Sequence, residues 1–122
     1  MARRYVLSTP HAPAVAREIV REALEGRFQP SVVDDAEVVA SELMTMLFQR
    51  GARGLSLSTA HDGYRACIEV RADELGPQPT GGGPVTEPSS DDLTENLLRA
   101  LTTDWGFELE RPGAVGWAII DA

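Results

Sequence analysis

The chain has 122 residues, 19 of them acidic against 11 basic, with 43% hydrophobic residues and a formal net charge of −8. That is enough for one soluble domain with its own core, and a sequence isoelectric point near 4.6 argues against a nucleic-acid partner, which needs a basic footprint to displace counterions. Every basic residue is an arginine and Cys67 stands alone, so P-loop lysines, Schiff bases, serine–lysine dyads, internal disulfides and cysteine-rich zinc sites are excluded.

Residues 3–9 read as a first strand, broken by Pro10-His11-Ala12-Pro13, where proline suits an opening helical turn. From there to Arg27, Ala16, Ile19, Val20, Ala23 and Leu24 recur at helical spacing, and Gly26 supplies the stop. A second helix is predicted from about Val32 to Arg50, with Ser31 as N-cap and Gly51 after its end. Its stripe of Ala36, Val39, Ala40, Leu43 and Leu47 is extended by Val38, Met44, Met46 and Phe48, which predicts burial on more than one side.

Strands follow at Gly54–Ala60 and Tyr64–Ala72 around His61-Asp62-Gly63, a strong hairpin signal. In the second of them Ala66, Ile68, Val70 and Ala72 share one face by period two, with Cys67 on the other as a quiet, half-buried thiol. A Pro/Gly-rich, lid-like loop at about 73–90 then leads to a third helix from Ser90 or Asp91 to about Thr103, with Leu93, Leu97, Leu98 and Leu101 as its stripe. Trp105–Glu110 and Val115–Ile120 close the chain as a hairpin. The order β-α-α-β-β-α-β-β predicts a single α/β two-layer sandwich over 1–122, a mixed but mainly antiparallel sheet with about three helices on one face. The start lacks a signal-length apolar run and no stretch approaches the ~18 apolar residues of a membrane span, so a cytoplasmic protein without a membrane partner is expected.

Several strings in this order resemble the anti-sigma-factor serine kinases, small bacterial members of the Bergerat-type ATPase superfamily that includes the histidine kinases. The segment Asp34-Asp35-Ala36-Glu37-Val38-Val39-Ala40-Ser41-Glu42-Leu43-Met44-Thr45 is similar to the family helix that carries a glutamate and, four residues on, a magnesium-binding asparagine. Leu97 to Gly106, ending Thr103-Asp104-Trp105-Gly106, and Val115-Gly116-Trp117-Ala118 are similar to its closing helix and strands. The resemblance implies an ATP site with magnesium, protein partners such as a sigma factor or an anti-sigma-factor antagonist, and a homodimer formed near the first strand.

Residue by residue, the family chemistry is eroded. Glu42 matches the glutamate and is the one vestigial candidate for a catalytic base, but the asparagine position is Met46, a thioether where magnesium needs hard oxygen. The adenine-binding aspartate falls by strand parity on Ala72, with Asp73 one residue along and facing the other way, and Gly76 is a remnant of the glycines that follow. The glycine-rich turn of the family falls on Asp92, Leu93 and Thr94, while Gly81-Gly82-Gly83 sits between prolines as a linker. From Ala72 to Leu98 there are six acids and no base, a balance that repels a triphosphate across a Debye length of ~8 Å unless a metal intervenes.

Glu42, Met46, Ala72, Asp73, Gly76 and Thr94 are therefore the pocket positions to follow. The expectation is a regulatory protein-binding module that has lost ATP, with no cofactor and no metal. One alternative is an active ATP-dependent serine/threonine kinase using Glu42 with Asp73. Another is a small-molecule sensor that reuses the emptied cleft.

Overall fold

The computed structural model describes residues 2–76 and 90–121, without the side chains of 2 and 90–92. Its elements are β1 (Ala2–Val6), α1 (Ala12–Leu24), α2 (Pro30–Gln49), β2 (Leu55–His61), β3 (Arg65–Ala72), α3 (Ser90–Leu101), β4 (Asp104–Glu110) and β5 (Gly113–Asp121), in the expected order. The glycine triplet and most of the lid-like loop fall at 77–89, outside the described residues.

The five strands form one sheet in the order β1-β2-β3-β5-β4. Each neighbouring pair is antiparallel, so the sheet expected to be mixed has no parallel pairing among its described strands. The cause is topological: β4 runs parallel to β3, but β5 inserts between them.

The helices cover one face. α2 lies against β3 and β5, with α1 on one side and α3 on the other. The period-two reading of β3 holds, with Ala66, Ile68, Val70 and Ala72 buried beneath the helices. Leu24, Leu43, Leu47, Leu57 and Ile68 are fully buried in the same core, each such side chain contributing about 1.5–3 kcal/mol by leaving water. Two hydroxyls of α2 are satisfied by the helix itself: Ser41 Oγ donates to the Val38 carbonyl at 2.9 Å and Thr45 Oγ1 to the Ser41 carbonyl at 2.7 Å. No described helix is long and apolar enough to cross a membrane.

Two boundaries differ from the sequence expectation for reasons visible in the pairing and the capping. β1 ends at Val6 rather than Thr9 because its partner β2 begins at Leu55, opposite Val6. Past that point the chain is held by Ser8 Oγ, which donates to the Ala52 carbonyl at 2.6 Å. α2 begins at Pro30 with extended Gln29 as its cap, so Ser31 lies inside the helix. Proline has a helical φ and no N–H to satisfy, and takes the first position in preference to a side-chain cap.

The far end of α2 closes as expected at Gly51 (φ 72°). The Gly51 N–H donates to the Phe48 carbonyl at 3.0 Å and the Ala52 N–H to the Leu47 carbonyl at 3.2 Å, the paired bonds of a Schellman motif that requires a left-handed residue.

The two tryptophans of the last hairpin lie on opposite faces. Trp105 pairs with Ala118 on the helix side, while Trp117 pairs with Gly106 on the helix-free side. The Trp117 indole lies so close over Gly106 that a Cβ there would come within 2.6 Å of the ring.

Candidate functional site

Glu42, Met46 and Arg50 are spaced by one helical turn and a fraction, which sets them along one side of α2. α3 faces that side, and the inner residues of β4 form the floor between the two helices. The result is an open cleft of about 320 Å³ lined by Met46 and Arg50 from α2, Thr94 and Leu98 from α3, and Trp105 and Phe107 from β4. The Arg50 guanidinium carbon stands 5.0 Å from the centroid of the Phe107 ring, a cation–π arrangement across the floor. At the mouth, Thr94 Oγ1 donates to Glu42 Oε2 at 3.2 Å and ties the two helices together.

Of the six pocket positions read from sequence, Glu42, Met46 and Thr94 come together at this cleft. Ala72 is buried in the core at the end of β3, inner-facing as parity required, and presents a methyl where a carboxylate was sought. Asp73 points elsewhere: its carboxylate lies against Gly54, where a Cβ would collide with it, and its N–H donates to the Arg53 carbonyl at 2.9 Å. Gly76 lines a second hollow on the other side of Arg50, its N–H donating to the Arg50 carbonyl at 3.2 Å. Of the glycine-rich-turn positions, Leu93 is three-quarters exposed, and the side chain of residue 92 is outside the described residues.

Several titratable groups elsewhere in the molecule are engaged in structure. Arg21 grips Glu37 through two bonds of 3.1 and 3.0 Å between α1 and α2. On the helix-free face Arg71 bridges Glu110 at 2.8 Å and Glu69 at 3.3 Å. Cys67 is half-buried there, and burial first, with Glu69 second, pushes its thiol up from the ordinary value, as suits an unreactive group. His61 ends β2 and packs edge-on against Phe28 with ring centroids 5.9 Å apart, and His11 caps α1 through its backbone. Among the described residues no three His, Cys, Asp or Glu side chains assemble into a metal-binding group.

Sequence reading missed Arg50, Trp105 and Phe107 as wall residues. The signal was present in part, since Arg50 continues the 42–46 spacing and Trp105, Phe107 and Leu109 alternate on one face of β4. What could not be seen was that Trp105 and Phe107 on this face lie beneath the α2–α3 cleft.

An open trench between two helices over an antiparallel sheet of this strand order can be compared with known structures. No protein-family model matches the chain, and no curated protein matches its sequence. Among solved structures, it resembles the histidine kinase AdeS of Acinetobacter baumannii, with a TM-score of 0.54 over 99% of this chain and 68% of that one, at 12% identity. The fold is that of a histidine-kinase-like ATPase domain. At this identity the likeness concerns the fold alone.

Proposed function

We propose that the chain is a protein-binding regulatory module, a degenerate relative of the anti-sigma-factor kinases that has lost ATP binding and phosphate transfer. Its partner is a sigma factor or an anti-sigma-factor antagonist in a bacterial signalling switch, and it acts as a homodimer in the cytoplasm. The observation that carries this reading is the content of the cleft: a thioether at Met46 in the magnesium position, with the neighbouring Glu42 carboxylate already accepting a hydrogen bond from Thr94 at 3.2 Å. A soft, neutral sulfur cannot hold a hard divalent ion, and buried Ala72 offers no acceptor to an adenine amino group. These residues do not fit a magnesium nucleotide.

Titration of the protein with a fluorescent ATP analogue and magnesium is expected to give no saturable binding in the micromolar range. Micromolar, magnesium-dependent binding would overturn this reading, and phosphate transfer to a cognate antagonist protein, abolished by Glu42→Ala, would establish the active serine/threonine kinase that uses Glu42 with Asp73. A second reading, a small-molecule sensor, is favoured by one specific observation: the cleft is open rather than filled by Met46 and its neighbours.

A further inference from the structure

We propose that the hollow beside the β4–β5 turn binds an amphipathic organic monocarboxylate, with the carboxylate on Arg111 and the apolar body between Leu75, Leu109 and Pro112. This hollow measures about 770 Å³, within the ~300–1,000 Å³ range of small-molecule sites. Its apolar walls are Leu75, Leu109 and Pro112, and its cations are Arg50 and Arg111. None of its described lining residues is acidic, in a chain that carries 19 acids.

Arg111 differs from five of the chain's eleven arginines. Arg4, Arg21, Arg65, Arg71 and Arg99 each pair with a carboxylate, whereas Arg111 is exposed and has no ion-pair partner among the described residues. Leu109, two residues before it on β4, is 57% exposed on the helix-side face. A guanidinium beside an uncovered leucine matches an anion joined to a hydrocarbon. Arg50 contributes as a wall, its guanidinium lying over Phe107.

The frame is preformed, which lowers the ordering cost of binding. The Leu75 N–H donates to the Pro112 carbonyl at 2.9 Å and the Gly76 N–H to the Arg50 carbonyl at 3.2 Å, so the segment after β3 is fastened both to the hairpin turn and to the end of α2. The Arg53 N–H to Glu74 carbonyl bond of 2.8 Å fixes the residue before. A single negative charge is the right size for the site: one carboxylate is matched by the one guanidinium of Arg111, and Glu74, next to Leu75 in sequence, adds a negative charge that disfavours a polyphosphate.

The test is a heteronuclear NMR titration of the whole chain with octanoate, and in parallel with octan-1-ol. Octanoate is expected to give saturable shifts centred on the amides of Gly76, Leu109 and Gly113, and octan-1-ol to bind about tenfold more weakly. Arg111→Gln is expected to weaken octanoate about tenfold with the rest of the spectrum unmoved, and Arg99→Gln, on exposed α3, to leave the affinity unchanged. Shifts that fail to saturate or centre elsewhere, equal affinity for the alcohol, or full affinity in Arg111→Gln would each overturn the proposal. The outcome is separate from the nucleotide titration that tests the protein-binding reading.

Discussion

α2 has two neighbours in the helical layer, and they are held in different ways. On one side α1 sends Ala12, Ala16, Ile19, Val20 and Leu24 into the core and adds the two-bond Arg21–Glu37 pair. On the other side α3 buries Leu98 alone among its described residues, leaves Leu93 exposed, and is tied to α2 by the Thr94–Glu42 bond. Between α2 and α3 lies the 320 Å³ cleft. The difference is one of packing: the α1 seam is closely filled, whereas the α3 side is more thinly packed and belongs to the less stable end of the fold.

The sharpest way to break this comparison is to remove the same leucine side chain on each side. Leu24→Ala, in the fully packed α1 seam, is expected to cost about 2–5 kcal/mol of global stability by denaturant unfolding. Leu98→Ala is expected near the lower end of that range, about 2 kcal/mol, because the residues around it border a cleft and can relax into it. Equal costs at the two positions would show that α3 belongs to the same rigid core as α1.

Next in size is Gly106→Ala. The new methyl meets the Trp117 indole on the helix-free face, where a rigid ring rather than a flexible chain has to give way. Overpacking of this kind costs about 1–3 kcal/mol, and the tryptophan emission should shift as the ring leaves the sheet. A neutral effect on the melting temperature would mean that the ring moves freely, and that this face is looser than the core above it.

How much of this was legible in the sequence follows the range of the interactions involved. The Asp62-Gly63 turn, the helix stop at Gly51 and the alternation of β3 are all local, and each stands where residues within a few positions dictate it. The same parity put Ala72 inward and Asp73 away from the cleft. The end of β1 was misjudged because it is set by β2, some fifty residues on. The site was half legible for the same reason: helical spacing gave Glu42 and Met46 a common face, but the hydrogen bond from Thr94, 52 residues away, depends on where α3 docks. The hollow at Arg111 escaped altogether, since the chain meets there from the end of α2, the end of β3 and the last hairpin.

That long-range bond offers a gentler probe of the α3 side. Thr94→Val keeps the shape of the side chain and removes the donor to Glu42, and is expected to cost about 1 kcal/mol, the ordinary net value of such a bond at a partly solvated site. Amide exchange should quicken through α3 while α1 is unchanged. Equal quickening in α1 would dissolve the distinction between the two sides.

The smallest effect falls outside both sides and serves as the reference for them. The Asp62 carboxylate accepts the N–H groups of Tyr64 at 3.0 Å and Arg65 at 2.9 Å, and these bonds, Tyr64's first, hold its pKa below the ordinary 3.8. A carboxyl whose folded pKa is depressed binds its proton more readily in the unfolded chain. Its contribution is therefore whole above the unfolded value and fades as pH falls through the folded one. Asp62→Asn should accordingly reduce the acid-side slope of melting temperature against pH, with little change near neutrality beyond the loss of the charge. Because the turn is exposed and its bonds stay within the hairpin, the variant should leave exchange in both helices as it was. If α3 loosened along with it, the looseness of that side would be a property of the whole domain's marginal stability rather than of its own thin packing.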